Sequence, residues 1–396
     1  MLRGSPVATL VTVTVALFTD GFLYGVLVPL GAGTAGGEQM LGIMYGAYAV
    51  GVLVSTPVLG VLSDRVGRRR PMLWGFVVQA VATLLFALHG GVALALLARL
   101  LQGVAAAATW TTGLALVAER FQEHRAEKLG VAMMGSTGGL LVGPVTGGVL
   151  LQWGGHALPL LIAGGALAVD GALRFAILTD RARAAAPASR LSALLRDRSV
   201  QAAAVVVVLS SIGWSLLEPL FPNHLERALG ASPATIGLLF TISSLAYGLT
   251  APLVGKVVDR FGAWPTMTFG IVAMAATLPL LVMPKTILLA GVVLVLVDVA
   301  FGFLMNPTLD ELANAVDRGH TGAYASVYAI FNMAYSIGTI GTTFTEAALA
   351  SLVSFGLLLL GVSAALILCL PLLRVLRRSV GGGEAGGAGA TAPATH

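Results

Sequence analysis

Long apolar runs alternate with short polar clusters along the whole chain. The runs fall at 7–30, 40–60, 71–88, 92–117, 127–152 and 156–179, then at 199–222, 235–255, 265–283, 286–312, 321–347 and 351–376. About 20 apolar residues of α-helix cross a bilayer core, so the pattern predicts an all-α polytopic membrane protein with twelve transmembrane helices. Pro284 and Lys285 separate the ninth span from the tenth. The first run is too long for the apolar region of a signal peptide and lacks a cleavage site, so it reads as a span. Between the sixth and seventh runs, 181–198 carries five arginines among alanine, proline and serine. That segment divides the chain into a six-helix bundle at 1–180, a linker at 181–198 and a second bundle at 199–378. The Gly/Ala-rich tail at 379–396 reads as disordered.

Lysine and arginine accumulate in alternate loops. With the N-terminus in the cytoplasm, 19 of the 23 fall in cytoplasmic segments, and only Arg227 and Lys285 in outer loops. The positive-inside rule then places both termini inside. Composition agrees: 10% of residues are charged and mean hydropathy is +0.91, whereas soluble domains carry roughly 25% charged residues. The net charge of +5 lies in the loop clusters, so the partner it implies is the lipid bilayer and not nucleic acid. Cys369 is the single cysteine, which excludes a disulfide scaffold. No H-E-x-x-H, P-loop or metal-ligand spacing occurs, nor an outer loop large enough for a catalytic centre. An enzyme such as a lipid-linked transferase is therefore set aside, and no cofactor or metal is expected.

The two halves repeat. The string from Pro57 to Gly67, with Gly60, Asp64 and Arg65, recurs 195 residues later from Pro252 to Gly262, with Gly255, Asp259 and Arg260. Five of the eleven positions are identical, in the same loop of each half. Glycine permits tight turns and close helix approach, and the acids and arginines can meet charges or helix ends on a neighbour. One copy could be only a basic loop. Two in register argue for a moving role.

Gly60 to Arg69 reads G-x-x-x-D-R-x-G-R-R, and on this motif the chain resembles the major facilitator superfamily. Arg99, Gln102 and Gly103 resemble the R-x-x-Q-G motif of that family's drug:proton antiporters. Gly139 to Gly148, containing Gly143 and Pro144, matches G-x-x-x-G-P-x-x-G-G of their fifth span. The resemblance implies twelve helices in two six-helix pseudo-repeats. Gly60, Asp64, Arg65, Gly67, Asp259, Arg260, Gly143 and Pro144 are accordingly assigned to gating. Leu17 to Asp20, Ala168 to Ala172, Leu217 to Pro219 and Ser326 to Ile330 are similar to segments of the vesicular amine transporters. The short outer loop 31–40 suggests a bacterial relative, and with it the bacterial inner membrane as location.

Asp20 lies in the middle of span one and Glu218 in the outward half of span seven. Ionisable groups at membrane depth are costly and mark functional positions. These spans hold equivalent places in the repeats and face each other across a central cavity. Two acids with no lysine in either helix favour a cation or a proton; the competing reading is a carboxylic acid held by a helix–helix hydrogen bond. In the amine transporters the matching carboxylates engage the amine or a proton. Asp170 and Arg174, four apart on span six, read as an intrahelical pair in preference to a substrate contact. For Arg99, proton coupling (the role the motif implies) and a buried donor to carbonyls both stand. So do proton carrier and structural acid for Asp298, which has no counterpart in the family.

Aromatic faces can hold an ammonium. By resemblance Tyr247 and Tyr335 line the substrate cavity; Tyr45, Tyr48 and Trp110 are candidates, with Trp214, Tyr24 and Phe331 as possible additions. Ser211 and Asn332 offer neutral hydrogen-bonding groups. The chain also departs from the amine transporters. Their span-two lysine is Tyr48 here, and their acids of spans ten and eleven fall at Met305, beside Asn306, and at Asn332. Amine selectivity thus carries over better than coupling machinery. Asp310 and Glu311 read as a cytoplasmic gate or a solvated helix end, with a substitute for the missing acids as the alternative. The reading is a monomeric proton-coupled antiporter of organic cations, monoamine-like or drug-like; the alternative is a facilitator or multidrug exporter of neutral hydrophobic compounds.

Overall fold

The computed structural model describes residues 4–26, 37–88, 91–155, 157–179, 190–319, 322–349 and 353–385. Every element among them is helical. The first six spans are α1 (Pro6–Val26), α2 (Gly37–Val66), α3 (Arg69–Ala87), α4 (Gly91–Arg120), α5 (Arg125–Gly154) and α6 (Ala157–Ile177). A short α7 (Arg190–Arg196) follows in the linker, and α8 (Arg198–Ser215) and α9 (Leu217–Leu229) share the seventh span. The rest are α10 (Pro233–Phe261), α11 (Ala263–Thr277, prolonged by a 3-10 turn at Leu278–Val282), α12 (Ile287–Arg318), α13 (Tyr324–Leu349) and α14 (Phe355–Ala385). Among the described residues nine spans are long and apolar enough to cross a membrane.

Local chemistry sets many of the boundaries. Asp197 accepts from the N–H groups of Ser199 and Val200 at the start of α8, and Ser232 and Thr286 cap α10 and α12 in the same way. Gly230 and Gly262 end α9 and α10 with φ of +63° and +89°, a region open to glycine. The seventh span breaks at Leu216 because Pro219 has no N–H for the carbonyl of Ser215. Many membrane hydroxyls are satisfied within their own helices: Thr12 donates to Ala8 at 2.8 Å, Thr56 to Val52 at 2.6 Å and Ser210 to Val206 at 2.6 Å.

The helices outrun the apolar runs. α2, α4 and α5 have 30 residues each, about 45 Å long, so their polar ends extend past the bilayer. Helix also occurs in the linker and at the start of the tail, the latter against the expectation of disorder. The linker holds α7 and the first residue of α8, and α14 continues over 379–385 before the described residues end. Over 379–385 the chain keeps the helix that the preceding turns of α14 have nucleated.

The span-five motif is explained by a glycine stripe. A Cβ on Gly135, Gly139, Gly143 or Gly147 would lie 2.3, 2.1, 2.7 and 2.6 Å from the carbonyl oxygens of Thr14, Phe18, Phe22 and Val26. Both series advance by four, one residue per turn, so α1 and α5 touch backbone to backbone along their length. Gly143 therefore belongs to a seam inside the first bundle and does not face the second. The side chain of Pro144 lies outside the described residues.

Candidate functional site

The repeated loop forms the same joint twice, at the end of the molecule that carries most of the basic loops (the basic end). Asp64, at the end of α2, accepts from the N–H groups of Ala325 and Ser326 at 3.2 and 3.0 Å and from the Ser326 hydroxyl at 2.5 Å. These open the first turn of α13, in the other half, so a carboxylate caps a helix across the bundle boundary. Asp259, at the end of α10, is bonded by the N–H groups of Ala126 and Glu127, in the first turn of α5. A Cβ on Gly60 would lie 3.1 Å from the carbonyl oxygen of Ala325, and one on Gly255 2.5 Å from that of Ala126. Gly67 and Gly262 turn the chain with φ of +90° and +89°. Arg65 and Arg260 are exposed. Glycine for approach, acid for capping and glycine for the turn thus account for three of the five repeated identities.

Two arginines reinforce the joint. Arg68 lies 2.6 Å from both Asp64 and Glu119 and donates to Ser63 at 3.0 Å. Burial alone would lower its pKa, but Glu119 and Asp64 hold it above the ordinary value. Arg125, at the start of α5, reaches Asp310 at 2.9 Å and Asp317 at 2.6 Å and also bonds Asn314. Those three share one face of α12, so the first bundle grips the second by a fan of charge-assisted bonds. Burial opposes the charge of Arg125, and Asp310 and Asp317 outweigh it and raise its pKa. Glu311 pairs with Arg318 at 2.9 Å. Sequence reasoning read Arg68 as one letter of the Gly60–Arg69 motif and counted Arg125 for topology only, and it missed the contacts of both at this joint. A Cβ on Gly130 would lie 2.6 Å from the carbonyl of Ala251, and one on Gly248 3.2 Å from Thr137, which extends the contact of α5 with α10 towards the membrane centre.

Deeper lies a group of aromatic residues around one acid. Asp20, 9% exposed, accepts from the indole Nε1 of Trp110 at 3.0 Å. Tyr24 and Tyr48 meet edge to face with centroids 4.7 Å apart. Tyr48 is within electrostatic reach of Asp20, Arg99 and, from the second half, Tyr335. Arg99 donates to the Tyr24 carbonyl at 3.2 Å and to Gln102 at 3.0 Å, with its guanidinium 5.6 Å from the Tyr24 ring centroid and 5.3 Å from that of Phe86. The motif arginine thus holds the backbone one turn beyond Asp20. Asp170 and Arg174 form a two-pronged buried pair at 2.8 Å, and Arg174 donates also to the Met72 carbonyl and to Thr109. With its donors so engaged, Arg174 is a weak competitor for Asp20 although within electrostatic reach of it.

In the second half Tyr247 packs on Phe301, centroids 5.7 Å apart, and Phe301 stacks on Trp214 at 5.3 Å. Asn332 is buried, with no partner for its side-chain NH2 group among the described residues. Ser211 is fully buried and donates to the carbonyl of Val208 at 2.9 Å, in the seam between α8 and α13 against Gly338. That position satisfies its hydroxyl locally. The side chains of Glu218 and Tyr45 lie outside the described residues.

The comparisons with known proteins agree with this architecture. The family model described as Major Facilitator Superfamily matches residues 10–201 and 203–396, once in each half. The rat chromaffin granule amine transporter is 31% identical over 304 residues, covering 75% of this chain and 58% of that protein. The human synaptic vesicular amine transporter is 27% identical, covering 85% and 66%. A probable vesicular acetylcholine transporter of Danio rerio is 29% identical, covering 93% and 79%. The chain thus spans about three-fifths to four-fifths of these relatives' lengths. The crystal structure of the human organic anion transporter TETRAN has the same fold, with a TM-score of 0.77, 18% identity and coverage of 94% and 100%. Two family matches, one in each half, coincide with two copies of one joint: the chain belongs to the major facilitator superfamily.

Proposed function

We propose that the protein exchanges protons for organic cations, monoamine-like or drug-like amines, by alternating access. The observation that carries this reading is Asp20: a buried mid-membrane acid whose described hydrogen-bond partner is a neutral indole, with tyrosines beside it. An acid in an apolar, aromatic setting attracts either an ammonium or a proton and cannot hold both at once. The amine transporters named above support the amine class. The basic end is the cytoplasmic side in this reading, in a bacterial inner membrane. The conformation described here has that end closed, with Asp64, Asp259 and Arg125 as the closing groups.

In the cycle, Asp20 accepts the amine from one side while giving up a proton, and Glu218 of the opposite bundle shares the exchange. Rocking of the bundles then exposes the site to the other side. The test is amine affinity of purified wild type, Asp20→Asn and Glu218→Gln from about pH 5.5 to 8.5. Protons compete for the same carboxylates, so wild-type affinity weakens as pH falls. Asp20→Asn should abolish most binding, because an amide keeps the shape but not the charge. Glu218→Gln should weaken binding and flatten its pH dependence. Wild-type behaviour in both variants would make the acids structural and favour export of neutral compounds.

A further inference from the structure

We infer that Asp298 is a second proton site, carrying in the C-terminal bundle the proton that is exchanged for substrate. This rests on the exchange reading above and extends it to a residue that reading does not use.

Asp298 sits on α12 and is 1% exposed. Neither carboxylate oxygen has a hydrogen-bond partner of ordinary geometry among the described residues. Its polar neighbours come from α10. Ser243 is within reach but donates to the carbonyl of Phe240 at 3.2 Å, and Tyr247 is in electrostatic contact. The neighbours on its own helix, Leu294, Val297 and Phe301, are buried and apolar. The charged groups of the packed elements stand elsewhere. Lys256, Asp259 and Arg260 of α10 begin nine residues beyond Tyr247, towards the basic end. Arg198 opens α8 and Arg125 opens α5 at that same end, while α11 carries no charged residue. On α12 itself Asp310 is twelve residues away, about 18 Å along the helix. From α13 the titratable groups among the described side chains are Tyr324, Tyr328 and Tyr335, and from α14 Cys369; Glu346 of α13 and Arg374, Arg377, Arg378 and Glu384 of α14 lie outside them.

A bare carboxylate in such surroundings is among the costliest groups a membrane protein can hold, and a single proton removes that cost. A metal cation fits poorly. Asn306 also has both amide atoms buried without a partner among the described residues, but it lies eight residues on, about 12 Å along the axis, and no ion can touch both. Instead, Asp298, Gly302 and Asn306 recur at every fourth residue and form one file down α12. Tyr247 rests against Gly302 in the middle, where a Cβ would lie 3.5 Å from its ring, and is itself only partly buried. Buried amides and acids without protein partners are met by water or ligand. The file thus gives a proton a route between Asp298 and the aromatic group around Tyr247.

The experiment uses the full chain in proteoliposomes with labelled phenethylamine. Amine-for-amine exchange without a pH gradient needs no proton, so Asp298→Asn should keep it within about threefold of wild type. Accumulation driven by a pH gradient should fall at least about tenfold in that variant, and Asp298→Glu should restore part of it. Loss of both activities together with lower thermal stability would make Asp298 structural and overturn the inference. Full retention of both would do so too, as would a sodium gradient replacing the proton gradient in wild type. A second readout requires no amine: infrared pH titration of purified protein should show a protonated-carboxyl band that persists in Asp20→Asn and disappears in Asp298→Asn. Its absence from wild type would overturn the site. Its presence with no amine transported would sustain the site while the amine reading fails.

Discussion

Replacing Asp64 by asparagine should open the basic end. Three hydrogen bonds reach this carboxylate from the start of α13, at 3.2, 3.0 and 2.5 Å, and Arg68 lies 2.6 Å away. Asparagine keeps the shape and one carbonyl oxygen, so part of the capping survives as neutral bonds. The charge does not. A charge-assisted bond contributes about 1.5–3 kcal/mol against about 1 kcal/mol for a neutral one. A charge at a partly buried helix end is worth up to about 2 kcal/mol more. Arg68 retains Glu119 and is not left bare. The closed conformation should therefore lose about 2–4 kcal/mol, a shift of roughly 30- to 700-fold towards the open one. Spin labels at Arg70 and Lys256, both exposed, in a Cys369→Ala background would report the separation of the bundles. The expected result is a new long-distance population, slower transport, and amine affinity within a few-fold of wild type. An unchanged distance distribution would refute the reasoning that this cap holds the halves together.

The second copy of the joint should behave alike but more weakly. Asp259→Asn, at a more exposed position, should shift the same distance distribution by about 1 kcal/mol, and its effect should add to that of Asp64→Asn; a double variant no more open than Asp64→Asn alone would contradict two independent caps. Gly139→Ala sets a methyl 2.1 Å from the Phe18 carbonyl and should lower thermal stability in detergent by about 1–3 kcal/mol. Gly138→Ala, whose methyl meets the Phe18 ring at 3.5 Å, should not. Reporter tags in 61–70, 120–126 and 181–198 should report cytoplasm and one after His224 the outside; an outside signal from 181–198 would overturn the topology.

The fold was legible because it is written in local periodicity. A span is a run of apolar residues, and the two halves announce themselves by a repeated string. The pairing of Asp170 with Arg174 was legible for the same reason, since a spacing of four puts both on one face. The gate was legible as a motif but not as a mechanism. Asp64 meets Ser326 across 262 positions, and Arg125 meets Asp310 across 185. Neither partner shares a helix with the other, so no period connects them. In the sequence Arg68 is a motif letter without a named partner, and Arg125 is a loop charge like any other. The glycine stripe was half read: the motif begins at Gly139, yet stepping back by four reaches Gly135, which makes the same contact with α1. Asn306 was noticed only against the amine-transporter pattern and Asp298 only as an acid at membrane depth, because side-chain satisfaction is a property of packing, not of order along the chain.

The choice of partner for Asp64 and Asp259 bears on how such a gate can open at all. Both acids cap backbone N–H groups. A pair of buried side-chain charges, once parted, leaves each ion to be solvated anew, and the cost of a half-parted state is high. First-turn N–H groups are different. They point out of the helix end and are open to water as soon as the bundles separate, as are the carboxylates at the polar rim. The closed joint exchanges water for protein partners at modest net gain, about 0.5–3 kcal/mol per bond. Two such joints give a closed end that is definite but reversible, within the few kcal/mol over which a bound ligand can shift a two-state equilibrium. Arg125 adds strength at the rim, where its partners Asp310 and Asp317 are themselves partly accessible to solvent. A transporter needs both ends of its cycle to be close in free energy, and a gate built on helix caps meets that need better than one built on buried ion pairs.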